Sequence, residues 1–279
     1  MMRKVLVAAL VLVLLGGVGM GWFAKFQRSM IFPGPEGVTV PLLHRFASEV
    51  GATELQIPTE DGETVYGWHR NAIGDGPKRV VLYFHGNASS VLAQIDLQDR
   101  LNQEGWDFVG IHYRGYPGST GEPSETGTRL DAKAAWDWIA HTLGVPPSRV
   151  VIHGRSLGGG VAAQLASNVE PGGVVLESTF TSIADLAKEQ FLGFPIGPFL
   201  SHPFLTRELA GAIRAPVLVA HGGSDSLINI KHGRKLAELF SAETFVEAPG
   251  LDHNNVLFEG SYQDQYIAFL EKAVPSDTP

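Results

Sequence analysis

The sequence predicts an α/β fold, a mostly parallel central sheet with helices on both faces, preceded by an apolar N-terminal span. Three observations predict it. From residue 79 onward, short apolar runs of strand composition alternate with helix-length segments, the pattern of βαβ units. In the middle of that alternation, Gly154-Arg155-Ser156-Leu157-Gly158 separates the apolar run Val150-Val151-Ile152 from the helix-like stretch Val161–Asn168. Ahead of all of it, Val5 to Ala24 is an uncharged, predominantly apolar stretch of twenty residues.

Taken in order, Arg3-Lys4 precede that stretch. As a helix rising about 1.5 Å per residue it is long enough for one hydrocarbon thickness of about 30 Å. Trp22 and Phe23 suit the membrane interface, with Lys25 and Arg28 just beyond. The expectation is an uncleaved transmembrane signal-anchor over residues 1–24. A cleaved signal peptide is the alternative; its apolar core is usually shorter, and no Ala-x-Ala cleavage site stands out. Basic residues flank both ends, so charge barely sets the orientation. A short tail ahead of a long domain favours a domain outside the cytoplasm.

Residues 25–50 read as an irregular connector, because Pro33, Gly34, Pro35 and Gly37 break regular structure. The main domain is expected over 51–274. Glu54–Pro58 and Thr64–Arg70 alternate like paired edge strands around the turn Asp61-Gly62. Strands then follow near 80–84, 108–112, 149–153, 173–177, 216–220 and 244–247, with helices near 90–103, 127–142, 158–168, 231–240 and 261–273. Between Thr181 and Ala210 the alternation pauses. There the run from Phe191 to Leu200 is apolar, aromatic and broken by proline and glycine. Two readings stand side by side: a short cap (181–210) offering apolar surface to an acyl group, or a packed helical hairpin that closes the core.

Composition excludes several classes of function. The net charge is −8 and no lysine–arginine cluster stands out in the globular part, so a nucleic-acid footprint is missing. With no cysteine, disulfides, thiolate catalysis and thiolate-held metals are impossible. There is no Walker-type loop and no His-x-x-x-His pair on a helix. No metal, nucleotide or other cofactor is expected. Nothing in the sequence speaks to oligomeric state.

The chemistry is carried by three post-strand loops. A serine at a sharp strand-to-helix turn has its hydroxyl exposed at the top of the sheet, the arrangement called a nucleophile elbow. That hydroxyl needs a base, and the base needs an orienting group. After the apolar run Ala215–Ala220, the loop His221-Gly222-Gly223-Ser224-Asp225 supplies a carboxylate at a strand's C-terminal end. After Glu243–Glu247, a second loop supplies His253. Ser156, Asp225 and His253 therefore occur in the chain order serine, acid, histidine. Asp252 competes as the acid, but adjacent residues orient each other's side chains poorly. Asp131, in a helix-like segment, is read as solvated. For the oxyanion, the donors expected are the backbone N–H of Leu157, at a helix start, and that of Asn87, in the loop after the strand Arg79–Phe84. His85 is read as structural, bonding loop backbone.

These residues together resemble the α/β-hydrolase superfamily, and more narrowly the membrane-anchored branch of α/β-hydrolase-domain proteins. The matching stretches are His85-Gly86-Asn87-Ala88, Tyr113-Arg114-Gly115-Tyr116 through Ser119, Gly121, Pro123, Ser124 and Glu125, the elbow Gly154–Gly159, Glu177-Ser178-Thr179-Phe180, Asp225 and His253. Pro117 departs from that branch, which usually has glycine there. The resemblance implies a serine hydrolase that cleaves an ester or thioester through an acyl-enzyme, with a small-molecule or lipid-like acyl compound or an acylated protein as substrate. An acyltransferase, an aminopeptidase-like amide hydrolase and a non-catalytic membrane scaffold remain the alternatives.

Overall fold

The computed structural model describes residues 23–190, 199–258 and 260–276. Most of the expected N-terminal span and most of the apolar run 191–200 lie outside the described residues. Among the described residues, no helix is long and apolar enough to cross a membrane.

Eight strands form one sheet: β1 Thr53–Pro58, β2 Thr64–Arg70, β3 Val80–Phe84, β4 Asp107–Ile111, β5 Val150–Arg155, β6 Gly173–Glu177, β7 Val217–Gly222 and β8 Thr244–Ala248. Their spatial order is β1-β2-β4-β3-β5-β6-β7-β8. β1 and β2 are antiparallel, β2 meets β4 antiparallel, and the other pairings are parallel. The helices are α1 Val40–Glu49, α2 Ile95–Gln103, α3 Glu125–Trp138, α4 Leu157–Ala166, α5 Ile183–Gln190, α6 Ile230–Leu239 and α7 Gly260–Ala273.

The period of two along each central strand divides the core into two layers. Val80, Leu82, Phe84, Val150, Ile152, Val174, Leu176, Val217 and Val219 face one side and pack with apolar residues of α3, α4 and α6. Val81, Tyr83, Val151, Val175, Leu218 and Ala220 face the other and pack with α2 and α7. Parallel strands buried on both faces require unbroken apolar runs, which is why β3, β5, β6 and β7 stand out in the sequence.

Two local expectations are corrected. The segment expected as an irregular connector is partly helical. Residues 23–31 are helical, and α1 follows at Val40. Pro41 lies in the first turn of α1, where its missing N–H costs nothing, and the Thr39 hydroxyl accepts from the Leu42 N–H. Leu43 and Ala47 of α1 pack on Tyr66 and Trp68 of β2. Asp131 is not solvated. It is fully buried, and its carboxylate accepts from the Arg114 N–H and guanidinium at 2.9 Å each. Arg114 also reaches Asp61 at 2.7 Å, so the guanidinium joins helix α3, the β1–β2 turn and the loop after β4.

Candidate active site

Ser156 sits between the end of β5 and the start of α4 with φ 54° and ψ −118°, a conformation L-residues rarely adopt. Its surroundings explain how that strain persists. The Ser156 N–H donates to the Glu177 carbonyl at 2.8 Å. Its own carbonyl accepts from the Thr179 hydroxyl at 2.6 Å and the Gly159 N–H at 2.9 Å. The flanking glycines are required by close backbone approach. A Cβ on Gly154 would lie 2.1 Å from the Gly158 carbonyl oxygen, and one on Gly158 would lie 2.0 Å from that of Phe84.

The loops after β7 and β8 bring the other two predicted residues to this serine. His253 Nδ1–H donates to Asp225 Oδ2 at 2.7 Å, which leaves Nε2 to accept from the Ser156 hydroxyl at 3.0 Å. All three are buried. Asp225 Oδ1 accepts from the N–H groups of Leu227 at 2.9 Å and Ile228 at 2.8 Å, so the carboxylate plane is fixed by backbone. Burial pushes the Asp225 carboxyl up, but hydrogen bonds from His221, His253 and the Ile228 N–H outweigh it and hold the group well below the usual carboxylate range. Asp252 is elsewhere engaged. Its carboxylate accepts from the N–H groups of His253 and Ser226.

Leu157 and Asn87 line one cavity with Ser156 and His253. The loop carrying Asn87 is held from three sides. The Tyr113 hydroxyl donates to the His85 carbonyl at 2.7 Å, the Ala88 N–H to the Pro33 carbonyl at 2.9 Å, and His85 Nδ1–H to the Gly86 carbonyl at 2.7 Å. His85 thus bonds loop backbone. Burial, with His112 beside it, pushes its imidazole down to about 3, so the ring is neutral.

Other participants were not singled out in the sequence. His221 shares its Nε2–H between the Ile228 carbonyl at 2.8 Å and Asp225 Oδ2 at 3.3 Å. Arg155, inside the elbow, reaches from β5 to the histidine loop. Its guanidinium donates to the His253 carbonyl at 3.3 Å and to the Asn254 side chain, and pairs with Glu177 at 3.7 Å. His153 bonds Glu177 from the other side at 3.0 Å. Burial pushes the Glu177 carboxyl up, yet His153 and Arg155 outweigh it and hold it below its ordinary range. The signal for Arg155 was present, since it lies within the five-residue elbow. His221 and Glu177 follow from three-dimensional pairing that spacing does not reveal.

Two chambers meet at the Ser156–His253 pair. One, of about 260 Å³, is walled by Met30, Ile31, Phe180, Ile183, Leu186 and Leu227. The other, of about 480 Å³, is bordered by Asn87, Ser89, Arg155 and Asn254 together with Ala88, Ala93 and Leu227, the last shared with the first chamber. Met30 and Ile31 come from the segment expected to be a mere connector. That segment supplies a wall of the apolar chamber.

Comparison with known proteins agrees with this architecture. A sequence model described as alpha/beta hydrolase fold matches residues 79–196. An uncharacterized protein of Mycobacterium tuberculosis, Rv2307c, is 33% identical over 91% of this chain and 89% of its own length. The alpha/beta hydrolase domain-containing protein WAV2 of Arabidopsis thaliana is 30% identical, with 93% of each chain covered. Among solved structures, the Pyrococcus furiosus esterase Pf2001 has a TM-score of 0.69 over 86% of this chain and 98% of its own, at 20% identity. The last likeness speaks to the fold, and the two relatives carry it to kinship: the chain belongs to the α/β-hydrolase family.

Proposed function

We propose that the protein is a membrane-anchored serine hydrolase that cleaves a carboxylic ester or thioester through an acyl-enzyme. The observation that carries this reading is the continuous hydrogen-bonded line Asp225–His253–Ser156, at 2.7 and 3.0 Å, with the serine in a strained elbow.

Ser156 Oγ attacks the substrate carbonyl while His253 Nε2 accepts its proton. Asp225 holds the imidazole in the tautomer with Nδ1 protonated and stabilises the imidazolium that forms. The N–H groups of Leu157 and Asn87 receive the oxyanion; the first also opens a helix, whose dipole favours the developing charge. Collapse of the tetrahedral intermediate expels the leaving group, which takes the proton from His253. Water, deprotonated by the same imidazole, then releases the acid.

The two chambers support a division of the substrate. The apolar one suits an acyl chain, and the one bordered by Asn87, Ser89, Arg155 and Asn254 suits a polar leaving group. The family name WAV2 carries and the esterase name of the structural neighbour favour hydrolysis of an acyl bond. The anchor belongs to the reading through the apolar stretch Val5–Ala24. The test is pre-steady-state turnover of nitrophenyl esters graded in acyl length. An acyl-enzyme mechanism gives a burst of nitrophenol equal to the number of active sites, or a shared deacylation rate across leaving groups. The absence of turnover on any ester, thioester or anilide would remove the reading. Transfer to an added alcohol in preference to water would turn it into an acyltransferase.

A further inference from the structure

We propose that the mouth of the apolar chamber is seated on a lipid surface, with the helix over residues 23–31 and the Leu227 loop as the contact. The surface is argued from geometry. Its consequence for substrate, an acyl ester resident in the bilayer, rests on the hydrolase reading above.

The helix over 23–31 is fixed to the domain. Gln27 is buried, and its amide is used in both directions: Nε2 donates to the Phe199 carbonyl at 2.9 Å, and Oε1 accepts from the Ser201 N–H at 2.8 Å. At the helix end, the Phe32 ring meets His202 edge-on at 5.4 Å between centroids. The chain beyond is tied by the Pro33 carbonyl, which accepts from the Ala88 N–H and the Tyr116 hydroxyl. This clamp places Met30 and Ile31 in the chamber wall next to Ser156.

The rim of that chamber is apolar and open. Phe23 and Met30, seven residues apart, share one face of the helix; they are 36% and 53% exposed. Across the chamber Leu227 is 61% exposed, and Phe199, at the carbonyl clamped by Gln27, is 67% exposed. Of these, Met30 and Leu227 line the chamber itself; Phe23 and the exposed Phe26 share Met30's helix, and Phe199 is tied to that helix through Gln27, whereas Val40, Ile73 and Leu239 lie on other elements. An apolar rim around a catalytic mouth marks an interaction surface, whereas single exposed apolar side chains need no explanation.

The occupant follows from the chain itself. The residues immediately ahead of Phe23 are the uncharged apolar run from Val5. Because the Gln27 clamp holds the helix against the domain, any membrane that takes up this run lies beside the rim. Lys25, on the same helix, suits headgroup contact, whereas the Arg28 guanidinium pairs with Glu122. With a net charge of −8, the contact is through apolar area rather than attraction to anionic lipid. An acyl chain then passes from the bilayer into the Met30–Leu227 chamber without crossing water.

The absence of cysteine makes the test clean. Single-cysteine variants of the full chain, Met30→Cys, Leu227→Cys and Ile73→Cys, are labelled with an environment-sensitive fluorophore. They are reconstituted with phosphatidylcholine vesicles carrying nitroxide on the acyl chains. Ile73 follows β2, next to the start of β4 and so toward the end of the sheet opposite Ser156; it serves as the aqueous control. Labels at Met30 and Leu227 are expected to shift to the blue and to lose most of their emission to the nitroxide, several-fold more than the label at Ile73. Phe23→Cys and Phe199→Cys repeat the measurement if either variant fails to fold. Labels at the rim that stay as wet and unquenched as the one at Ile73 overturn the proposal, as does a chain that does not float with the vesicles. Burial of the labels without lipid, with a doubled mass, assigns the rim to a second copy instead and overturns it too. The readout needs no turnover, so loss of ester hydrolysis with intact lipid burial would count against the hydrolase reading alone.

Discussion

Replacing Asp225 with asparagine isolates the role of the acid, because the structure dictates how the amide must sit. Oδ1 of Asp225 accepts from two backbone N–H groups, Leu227 and Ile228. An asparagine therefore keeps its carbonyl oxygen there and presents its NH2 where Oδ2 now accepts from His253 at 2.7 Å and from His221 at 3.3 Å. A donor facing Nδ1 forces the imidazole to carry its proton on Nε2, the atom that must take the proton of Ser156. The geometry is retained and the tautomer is wrong. The corresponding change in a serine triad costs about 10⁴ in kcat, about 5.5 kcal/mol of barrier. The assay is kcat/KM on a short nitrophenyl ester, with urea unfolding as the control for folding. We expect a loss of three to four decades (roughly, by the same comparison) for Asp225→Asn. Asp252→Asn should lose far less, since that carboxylate caps backbone N–H groups at an exposed position. A folded Asp225→Asn enzyme within about tenfold of wild type, or an Asp252→Asn enzyme damaged more than it, would refute the reasoning.

Other changes follow from the same contacts. Gly158→Ala places a Cβ 2.0 Å from the Phe84 carbonyl, backbone against backbone, whereas Gly211 has nothing within 4 Å. Urea unfolding should show a loss above about 3 kcal/mol for the first and a change within about 0.5 kcal/mol for Gly211→Ala. Arg155→Leu leaves Glu177 buried without its cation and frees the histidine loop; it should cost about 3–5 kcal/mol of stability. It should lower kcat more than it raises KM, while a purely structural role would leave both unchanged per folded active site. The buried imidazoles predict an acid-side loss of stability. Burial holds His112 down to about 4 and, with His112 beside it, His85 down to about 3, whereas the unfolded chain protonates both near 6.5. The unfolded state therefore binds more protons below about pH 6.5. Their stabilising contribution is complete above that pH and falls by about 1.4 kcal/mol per pH unit for each histidine as pH drops toward 4. A flat unfolding free energy between pH 6.5 and 4.5 would show that these rings charge in the folded state.

The parts of the fold legible in the sequence are those that repeat a local period. β3, β5, β6 and β7 announce themselves because both faces are buried, and the glycines flanking Ser156 because two backbone segments meet there. Asp225 and His253 are legible because each follows an apolar strand, in the chain order that sets them beside Ser156. α1 is hidden because Pro33, Gly34, Pro35 and Gly37 just ahead of it signal broken structure, although Pro41, at the first turn, suits a helix start. Asp131 looked solvated because its partner, Arg114, lies in a separate loop. The joining of Arg155 to the His253 loop likewise bridges about a hundred positions of sequence, as its bond to Asn254 shows. The wall made by Met30 and Ile31 depends on the Gln27 clamp, a pairing with residues 199 and 201 that no periodicity encodes.

The central claim is that Ser156 is the nucleophile, and covalent labelling tests it most directly. The full-length protein is treated with a fluorophosphonate, digested, and the modified residue located by mass spectrometry, beside Ser156→Ala as control. The account predicts one adduct, on Ser156, and no labelling of a Ser156→Ala protein whose unfolding curve matches wild type. Undiminished labelling of that variant, or an adduct on another serine in the wild type, would contradict it.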